Sequence, residues 1–433
     1  MPLIILLFPL LFLACGELGQ SSEEDKELHY NYLLLNAYFY HPERIKPYTK
    51  YQGMEVDSMY SSLKDYFKGN RYTIYYPPDT SKQVLDDIEN TPKYYSFGFV
   101  RYLYDDTLHV DAVYPISPAA GAGLEKRDKL LFANDIPLTG STAGYYEYTD
   151  TLFAASTVFT VLRGEEILIL PVMQKEEVPV PTVYLDSLYG IPLISITEFT
   201  RNTNDPNGTY AEFKKALQSI KGAKAAIIDV RYNPGGSIYH CTAMAAELAP
   251  SLNSELVYDV EHNYDSKKGN VIDTVHYFAR RYLSSIGDGA DIKWIIIQNK
   301  WSASCAERFT AAVKSSRPET VIIGQASYGK GVGQVYTVTP HLGGLAKITS
   351  IQTYYPNGKT FHEIGVVPDV PTEEGDINAL RSAAIEAAQK FDPGVLAKRS
   401  PTLLQLEIPL PEHSPRKTDL GAYKVVDLLH QWE

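Results

Sequence analysis

Short apolar segments alternate with helical patterns between residues 185 and 390, and this alternation constrains the fold more than any other feature of the sequence. Residues 191–196, 225–230 and 294–298 are predominantly apolar runs of strand length. Residues 210–220 lie between the first two runs and have the spacing of a helix. Strands joined by helices run parallel, with helices covering the sheet. We therefore predict a crossover α/β domain over 185–390.

The chain is long enough for several domains and has a globular composition. Of its 433 residues, 44% are hydrophobic and 21% are charged, which indicates neither wholesale disorder nor a multi-span membrane protein. The net charge of −12 argues against nucleic acid as a partner, because a phosphate-binding surface is basic. The fold class we predict is α/β, or α+β across several domains.

The N-terminal segment predicts export. Residues 1–14 are almost wholly apolar, too short to span a bilayer, and are followed by Cys15. The stretch Phe12-Leu13-Ala14-Cys15 resembles a bacterial lipobox, which implies a cleaved signal peptide over 1–14 and a lipid on Cys15. An uncleaved apolar anchor is the alternative, and it also exports the protein. We expect a lipid-anchored protein of the bacterial cell envelope, on the periplasmic side or in the outer membrane.

Three peripheral segments have simple compositions. Residues 15–28 are rich in Ser, Glu and Asp and predict a solvated tether. Residues 29–90 predict a small N-terminal helical domain, in which Leu35 and Phe39 recur at helical spacing. Residues 391–433 are Pro-bearing and predict a C-terminal tail.

Residues 93–174 contain short apolar runs separated by turn signals, which predicts a compact β-rich module. Residues 117–124 resemble the short helix of the PDZ family, and Asn134-Asp135 is typical of a hairpin turn. The stretch Phe97-Gly98-Phe99 resembles the PDZ carboxylate-binding loop, whose backbone N–H groups hold a peptide C-terminus. A purely structural β-module is the alternative.

Three further segments follow predicted strands and carry residue types suited to chemistry. Asn233-Pro234-Gly235-Gly236 lets backbone N–H groups approach a substrate, because glycine has no Cβ. Ser302-Ala303-Ser304-Cys305 lies between a strand and a helix, where free N–H groups favour developing negative charge. The third segment is Gly329-Lys330-Gly331. Taken singly, Ser304 is typical of a helix cap and Lys330 of a surface lysine.

Over residues 187–372 these segments resemble the carboxyl-terminal processing (tail-specific) peptidases of family S41, and the PDZ-like module ahead of them reproduces that family's domain order. The resemblance implies a catalytic domain of the ClpP-crotonase type. It also implies a serine nucleophile, a lysine base, a glutamine four residues after the lysine that orients the amine, and an oxyanion hole. The matching residues are Ser304, Lys330, Gln334, and, for the oxyanion hole, Cys305 with either Gly235 or Gly236.

A lysine base requires a lowered pKa. The reference value of about 10.4 leaves lysine charged at neutral pH, so burial must lower the pKa of Lys330 by about three units. The neutral amine then deprotonates Ser304, which attacks a peptide carbonyl and forms an acyl-enzyme.

Other chemistries match the sequence less well. Residues 324–330 spell G-x-x-x-x-G-K, but Gly331 replaces the Ser or Thr of a phosphate-binding loop. His362-Glu363 begins a zinc-protease pattern that lacks its second His, so we expect no metal and no cofactor. Cys305 is an alternative nucleophile without a His nearby in sequence. We expect Cys241 and Cys305 to be free thiols.

The sequence therefore predicts a serine endopeptidase that cleaves exported polypeptides, recognised through their C-termini. A catalytically idle envelope lipoprotein that binds peptides through the PDZ-like module is the alternative. The oligomeric state is not readable from the sequence.

Overall fold

The structure is a computed structural model that describes residues 22–64, 72–139, 153–265, 270–278 and 283–394. The chain forms two compact units. Of the described residues, the first comprises those within 22–82, 262–274 and 334–350, and the second comprises those within 83–261, 275–333 and 351–394. Within the described ranges, no helix is long and apolar enough to cross a membrane.

The first unit is built on helices α1 (Glu23–Tyr38) and α2 (Val56–Lys64) and on strand β1 (Ile74–Tyr76). Apolar side chains of both helices form its core, as the helical spacing predicts; they include Leu35, Phe39, Met59 and Leu63. Strand β1 pairs antiparallel with the first residues of β20 (Leu345–Tyr354).

Helix α1 begins earlier than the sequence suggests. Ser22 caps it by accepting a hydrogen bond from Asp25 N at 3.1 Å, and the acidic first turn suits the helix dipole. Leu28 is buried in the core. The predicted tether over 15–28 was therefore wrong from Glu23 onward, because its acidic residues form a helical N-terminus. Residues 15–21 lie outside the described ranges.

The predicted β-rich module is a sheet of antiparallel strands in the order β3-β4-β5-β8-β9 with β6 on β5. Asn134, with φ 51°, makes the predicted hairpin turn between β5 and β6. A short helix, α4 (Pro118–Gly121), lies in the predicted helical stretch and is capped by Ser117. The elements before and within this region are α3 (Pro78–Glu89), β2 (Lys93–Ser96), β3 (Phe99–Tyr104), β4 (Thr107–Val113), β5 (Lys129–Ala133), β6 (Ile136–Pro137), β7 (Ser156–Thr157), β8 (Phe159–Arg163), β9 (Glu166–Ile169), β10 (Met173–Gln174) and β11 (Glu176–Pro179).

The second sheet has the strand order β12-β13-β14-β17-β18-β21. All neighbouring pairs from β13 to β21 are parallel, and β12 is antiparallel to β13. This confirms the predicted crossover α/β architecture. The elements are β12 (Val183–Leu188), β13 (Ile191–Ile196), α5 (Gly208–Ser219), β14 (Ala225–Asp229), α6 (Ile238–Leu248), β17 (Lys293–Gln298), α7 (Cys305–Ser316), β18 (Val321–Gly324), β21 (Val370–Pro371) and α8 (Ile377–Phe391).

Helices cover both faces of this sheet, which is why its central strands are apolar throughout. Ile228 and Ile296 belong to the core formed with α5, α6 and α7. Their neighbours Ile227 and Ile295 belong to a second core formed with α8. Alternate residues of one strand thus enter opposite cores.

The remaining strands are β15 (Tyr258–Asp265), β16 (Asn270–Phe278) and β19 (Val332–Val338). Tyr258 and Asp259 pair antiparallel with the end of β20. Because β19 follows Lys330 where a phosphate-binding loop would continue into a helix, the G-x-x-x-x-G-K match has the wrong structural context.

Candidate active site

The three sequence segments meet where the parallel strands end. The loops that carry Gly235, Ser304 and Lys330 follow β14, β17 and β18, which are neighbours in the sheet. Carboxyl ends of parallel strands lie at one edge, the usual place for a binding site in an α/β sheet.

Ser304 occupies a strained turn between β17 and α7. It is the N-cap residue of α7, with φ 55° and ψ −112°, a conformation that a non-glycine residue rarely adopts. A nucleophilic serine on a sharp strand-to-helix turn is a recurrent arrangement in hydrolases, because the turn presents the hydroxyl at a helix N-terminus.

Gly235 lies directly against Ser304. A Cβ at this position would come within 2.7 Å of the Ser304 Cβ and 2.9 Å of the Cys305 backbone nitrogen. Gly235 also has a φ of 108°, which favours glycine. Any residue larger than glycine at position 235 would therefore clash with Ser304.

Backbone hydrogen bonds distinguish the two predicted oxyanion glycines. The Gly235 N–H donates to the Asn233 side chain at 2.8 Å, so it is already engaged. Gly236 is bridged to Phe199 through the groups on either side of it, namely Gly235 O and Ser237 N. In such a parallel bridge the N–H of Gly236 itself points away from Phe199.

Asn233 holds two loops of the site together. Its side-chain NH₂ group donates to Ile196 O at 2.9 Å, and its backbone carbonyl oxygen accepts the Ala303 N–H at 2.9 Å. The residue is fully buried. Asn233 thereby fixes the glycine loop to the residue that precedes Ser304.

Glu307 is the residue that most tightly connects the site, and the sequence reasoning gave it no role. One carboxylate oxygen accepts the N–H of Ser304 at 2.8 Å and that of Lys330 at 2.7 Å. The other accepts the Gly329 N–H at 2.5 Å and the Ser327 hydroxyl at 2.6 Å. The backbone nitrogens of Ser304 and Lys330 are thus separated by no more than two hydrogen-bond lengths.

The Glu307 carboxylate is shielded from bulk solvent. The side chain is fully buried, and burial raises its pKa while the hydrogen bonds from Ser327, Gly329, Lys330 and Ser304 oppose that rise. The S-x-x-E spacing from Ser304 to Glu307 is the capping-box pattern and is the signal in the sequence that identifies this residue.

Lys330 and Gln334 are both half-buried. Lys330 lies in the loop between β18 and β19, and Gln334 lies on β19. The positive charge of Lys330 opposes the rise in the pKa of the buried Cys305 thiol.

Cys305 itself is a poor candidate nucleophile. Its side chain is buried, and its thiol donates to Gly236 O at 3.2 Å. Burial raises the pKa of the thiol well above its usual value, although the charges of Arg308 and Lys330 oppose this rise. Its backbone N–H, at the first position of α7, has no acceptor within the helix.

A buried ion pair between Arg231 and Asp229 precedes and supports the glycine loop, residues 233–236. Arg231 contacts Asp229 at 2.7 Å between Nη2 and Oδ2, and both side chains are buried. Asp229 ends β14, so this pair fixes the point where the chain leaves the sheet. The sequence predicted no role for either residue.

The predicted peptide-binding loop is well packed. Phe97 and Phe99 are buried in the core of the β-rich module with Phe159. The Gly98 N–H donates to Ser96 Oγ at 3.2 Å. The Gly98 N–H is thus already engaged within the module, and Gly98 itself is buried. The lipidation candidate, Cys15, lies outside the described residues.

The family comparison concerns the segment that contains the loops of Gly235, Ser304 and Lys330. Residues 190–372 match peptidase family S41. Over these residues the chain is similar to that family. The S41 segment therefore spans β13 to β21, including Ser304, Glu307 and Lys330.

Two curated proteins are similar to most of the chain. A Staphylococcus epidermidis protein named "Probable CtpA-like serine protease" is 23% identical over 348 residues, which cover 80% of this chain and 65% of that protein. A Staphylococcus aureus protein of the same name is 26% identical over 353 residues, covering 81% and 65%. This chain thus spans 65% of the length of these curated relatives.

A solved structure from Bacteroides fragilis, whose name assigns it to the S41 proteases, has the same fold. It is 14% identical, with a TM-score of 0.50, and the superposition covers 87% of this chain and 99% of the other. At that identity the likeness concerns the S41 fold alone.

Proposed function

We propose that this chain is a serine endopeptidase of the carboxyl-terminal processing type, with Ser304 as nucleophile and Lys330 as general base. The observation that carries the proposal is the Glu307 carboxylate, which binds the backbone of both residues. Four donors, from the N-terminus of α7 and from residues 327–330, converge on this buried carboxylate, which holds the two loops in register.

The proposed reaction uses groups of this chain alone. The neutral amine of Lys330 takes the Ser304 hydroxyl proton as the oxygen attacks the peptide carbonyl. The resulting oxyanion accepts hydrogen bonds from the N–H groups of Cys305 and Gly236, each donor contributing about 3 kcal/mol. Lys330 then protonates the leaving amine, and water hydrolyses the acyl-enzyme in a second, similar step. Gln334 is proposed to orient the Lys330 amine.

Polypeptides are the proposed substrates. Two aromatic side chains on the loops that carry the proposed dyad are largely solvent-accessible: Trp301 is 52% exposed and Tyr328 is 42% exposed. Their loops are joined by a hydrogen bond from Tyr328 N to Ser302 O at 3.0 Å. Such exposed aromatic area favours an extended chain with apolar side chains. The β-rich module is proposed to be PDZ-like and to recognise the substrate C-terminus.

A lipid on Cys15 is proposed to anchor the protein in the cell envelope. The apolar segment before Cys15 supports this assignment. Labelled fatty acid should enter the wild-type protein and be lost in Cys15→Ser. Label retained by the serine variant would contradict it.

The test of the catalytic proposal compares four variants on an unfolded protein substrate. Ser304→Ala and Lys330→Ala should each lose cleavage, and Lys330→Arg should be equally inactive because guanidinium stays protonated. Lys293→Ala is the matched control, because Lys293 is a lysine at the start of β17 whose side chain is 46% exposed and pairs with Glu319; it should cleave normally. A fluorophosphonate probe should label Ser304 in the wild-type protein.

Two results would contradict the proposal. Cleavage by either Lys330 variant at more than a few per cent of the wild-type rate would exclude lysine as the base. A folded wild-type protein that binds peptides but neither cleaves nor reacts with the probe would favour the catalytically idle binding protein.

A further inference from the structure

The two described cysteines lie side by side in the second unit. Both are free thiols, as the sequence predicts. Their sulfur atoms are 2.7 Å apart although the residues are 64 positions apart in the chain. This is closer than two sulfur atoms that merely touch and approaches the length of a disulfide bond, about 2.05 Å.

Each cysteine belongs to an element that carries part of the candidate active site. Cys305 is the first residue of α7, directly after Ser304. Cys241 lies in the first turn of α6, which begins just after Gly236. The Cys305 thiol also donates to Gly236 O at 3.2 Å. A bond between the two sulfur atoms would therefore join the glycine loop to the helix that presents Ser304.

The surroundings are suited to holding such a bond. Both side chains are buried, at 0% and 1% exposure, so reductants in solution cannot reach a bond formed there without an opening of the structure. The buried Arg308 guanidinium donates to Thr242, the neighbour of Cys241, at 2.8 Å. Its positive charge opposes the rise in the pKa of the Cys305 thiol that burial causes.

We propose that Cys241 and Cys305 are a modification site: under oxidising conditions they form an intramolecular disulfide that braces the glycine loop against the nucleophile helix. The oxidant is a disulfide, either of glutathione or of a thiol–disulfide oxidoreductase. One thiolate attacks the oxidant and forms a mixed disulfide, and the second thiol displaces the remaining half. Both protein sulfur atoms lose a hydrogen, and the two electrons and two protons leave with the oxidant as two thiols.

Because both thiols are buried, the exchange takes place while the chain folds. The experiment therefore uses the full chain with Cys15→Ser, which retains only Cys241 and Cys305 of the three cysteines. The protein is unfolded under reducing conditions and refolded in buffers with increasing ratios of oxidised to reduced glutathione. Remaining thiols are alkylated in denaturant, and peptides are analysed by mass spectrometry without reduction.

The expected result is a cross-linked peptide pair, lighter by two hydrogen atoms than the reduced pair, with neither cysteine alkylated in most molecules. Cys241→Ala and Cys305→Ala each leave one thiol and should be alkylated fully. A folded monomer with both cysteines alkylated in the most oxidising buffer would overturn the proposal, as would a glutathione adduct on one cysteine with the other alkylated.

A second measurement covers failure of the variants to refold. The Cys15→Ser protein is produced in an oxidising compartment of a host cell and alkylated in denaturant as purified. This protein should contain a disulfide, and the Cys241→Ala protein should not. The disulfide should resist a reductant until denaturant is added. The thermal midpoint of the oxidised protein should be higher than that of the reduced protein by at least about 4 °C. Two free thiols in the protein as purified, or equal thermal midpoints for its oxidised and reduced forms, would contradict the proposed disulfide.

Discussion

The Glu307 carboxylate accepts the backbone N–H of Lys330 at 2.7 Å. The same oxygen accepts the N–H of Ser304, so a single atom sets the spacing between the loop with the proposed nucleophile and the loop with the proposed base. Such positioning matters because a displacement of about 1 Å can lower a reaction rate about a hundredfold.

The first prediction is that Glu307→Gln impairs both activity and stability. The amide offers one acceptor oxygen and places an NH₂ group against backbone donors, so at least one hydrogen bond to Ser304, Lys330 or Gly329 is lost. The free energy of unfolding should fall by about 2 to 4 kcal/mol, and kcat should fall at least tenfold. Chemical denaturation and cleavage of a peptide substrate measure the two effects.

Glu386→Gln is the control for this variant, since Glu386 is 71% exposed on α8 and pairs only with Lys390 among the described salt bridges. It should change neither quantity measurably. Wild-type activity in a folded Glu307→Gln protein would show that the carboxylate has no positioning role.

A second prediction separates steric blockage from backbone strain. Gly235→Ala places a methyl group 2.7 Å from the Ser304 Cβ, so it should abolish cleavage. Gly222→Ala is the matched control, because Gly222 has a φ of 89° but no atom within 4 Å of an added Cβ. Both variants strain the backbone, by about 1 kcal/mol or more. Only Gly235→Ala should lose activity and reaction with a fluorophosphonate; a fully active Gly235→Ala protein would refute the assigned geometry.

The third prediction concerns acid stability. Burial, with a smaller effect from Arg201, lowers the pKa of His240 from 6.5 to about 4. The unfolded chain therefore binds a proton at this site between pH 6.5 and about 4 and the folded chain does not, so the free energy of unfolding falls as the pH falls through that window. The contribution is about 2 to 3 kcal/mol.

His240→Asn tests this prediction, because an amide oxygen replaces Nδ1 as the acceptor of the Tyr210 N–H but does not titrate. Between pH 6.5 and 4, the free energy of unfolding should fall by about 2 to 3 kcal/mol less in the variant than in the wild-type protein. The two proteins should have similar stability near pH 7.5. Identical slopes for the two proteins would mean that His240 does not titrate as stated.

The fourth prediction concerns the proposed PDZ-like module. If backbone N–H groups near Gly98 hold a substrate carboxylate, peptides with a free apolar C-terminus should bind the full-length Ser304→Ala protein more tightly than their amidated forms. Losing a charge-assisted contact of about 1.5 to 3 kcal/mol weakens binding by about ten- to a hundredfold. Calorimetry with paired free and amidated peptides measures the two affinities. Equal affinities would mean that the module does not recognise a C-terminal carboxylate and acts as a spacer.

The sequence by itself determined the parallel sheet and the position of the three loops that carry Gly235, Ser304 and Lys330. It could do so because strand and helix periods and glycine-rich turns are local properties of the chain. It also indicated the strand-to-helix junction at Ser304, since capping chemistry is read from adjacent residues.

Only the tertiary structure decided which atoms meet. The Asn233 side chain engages the Gly235 N–H, Glu307 joins two loops that are distant in sequence, and Cys241 comes into contact with Cys305. The acidic residues from Glu23 onward belong to a helix because the side chain of Leu28 packs into the core of the first unit. Composition alone does not show that contact. These relations depend on the packing of elements far apart along the chain, and one sequence carries no local signal for such contacts.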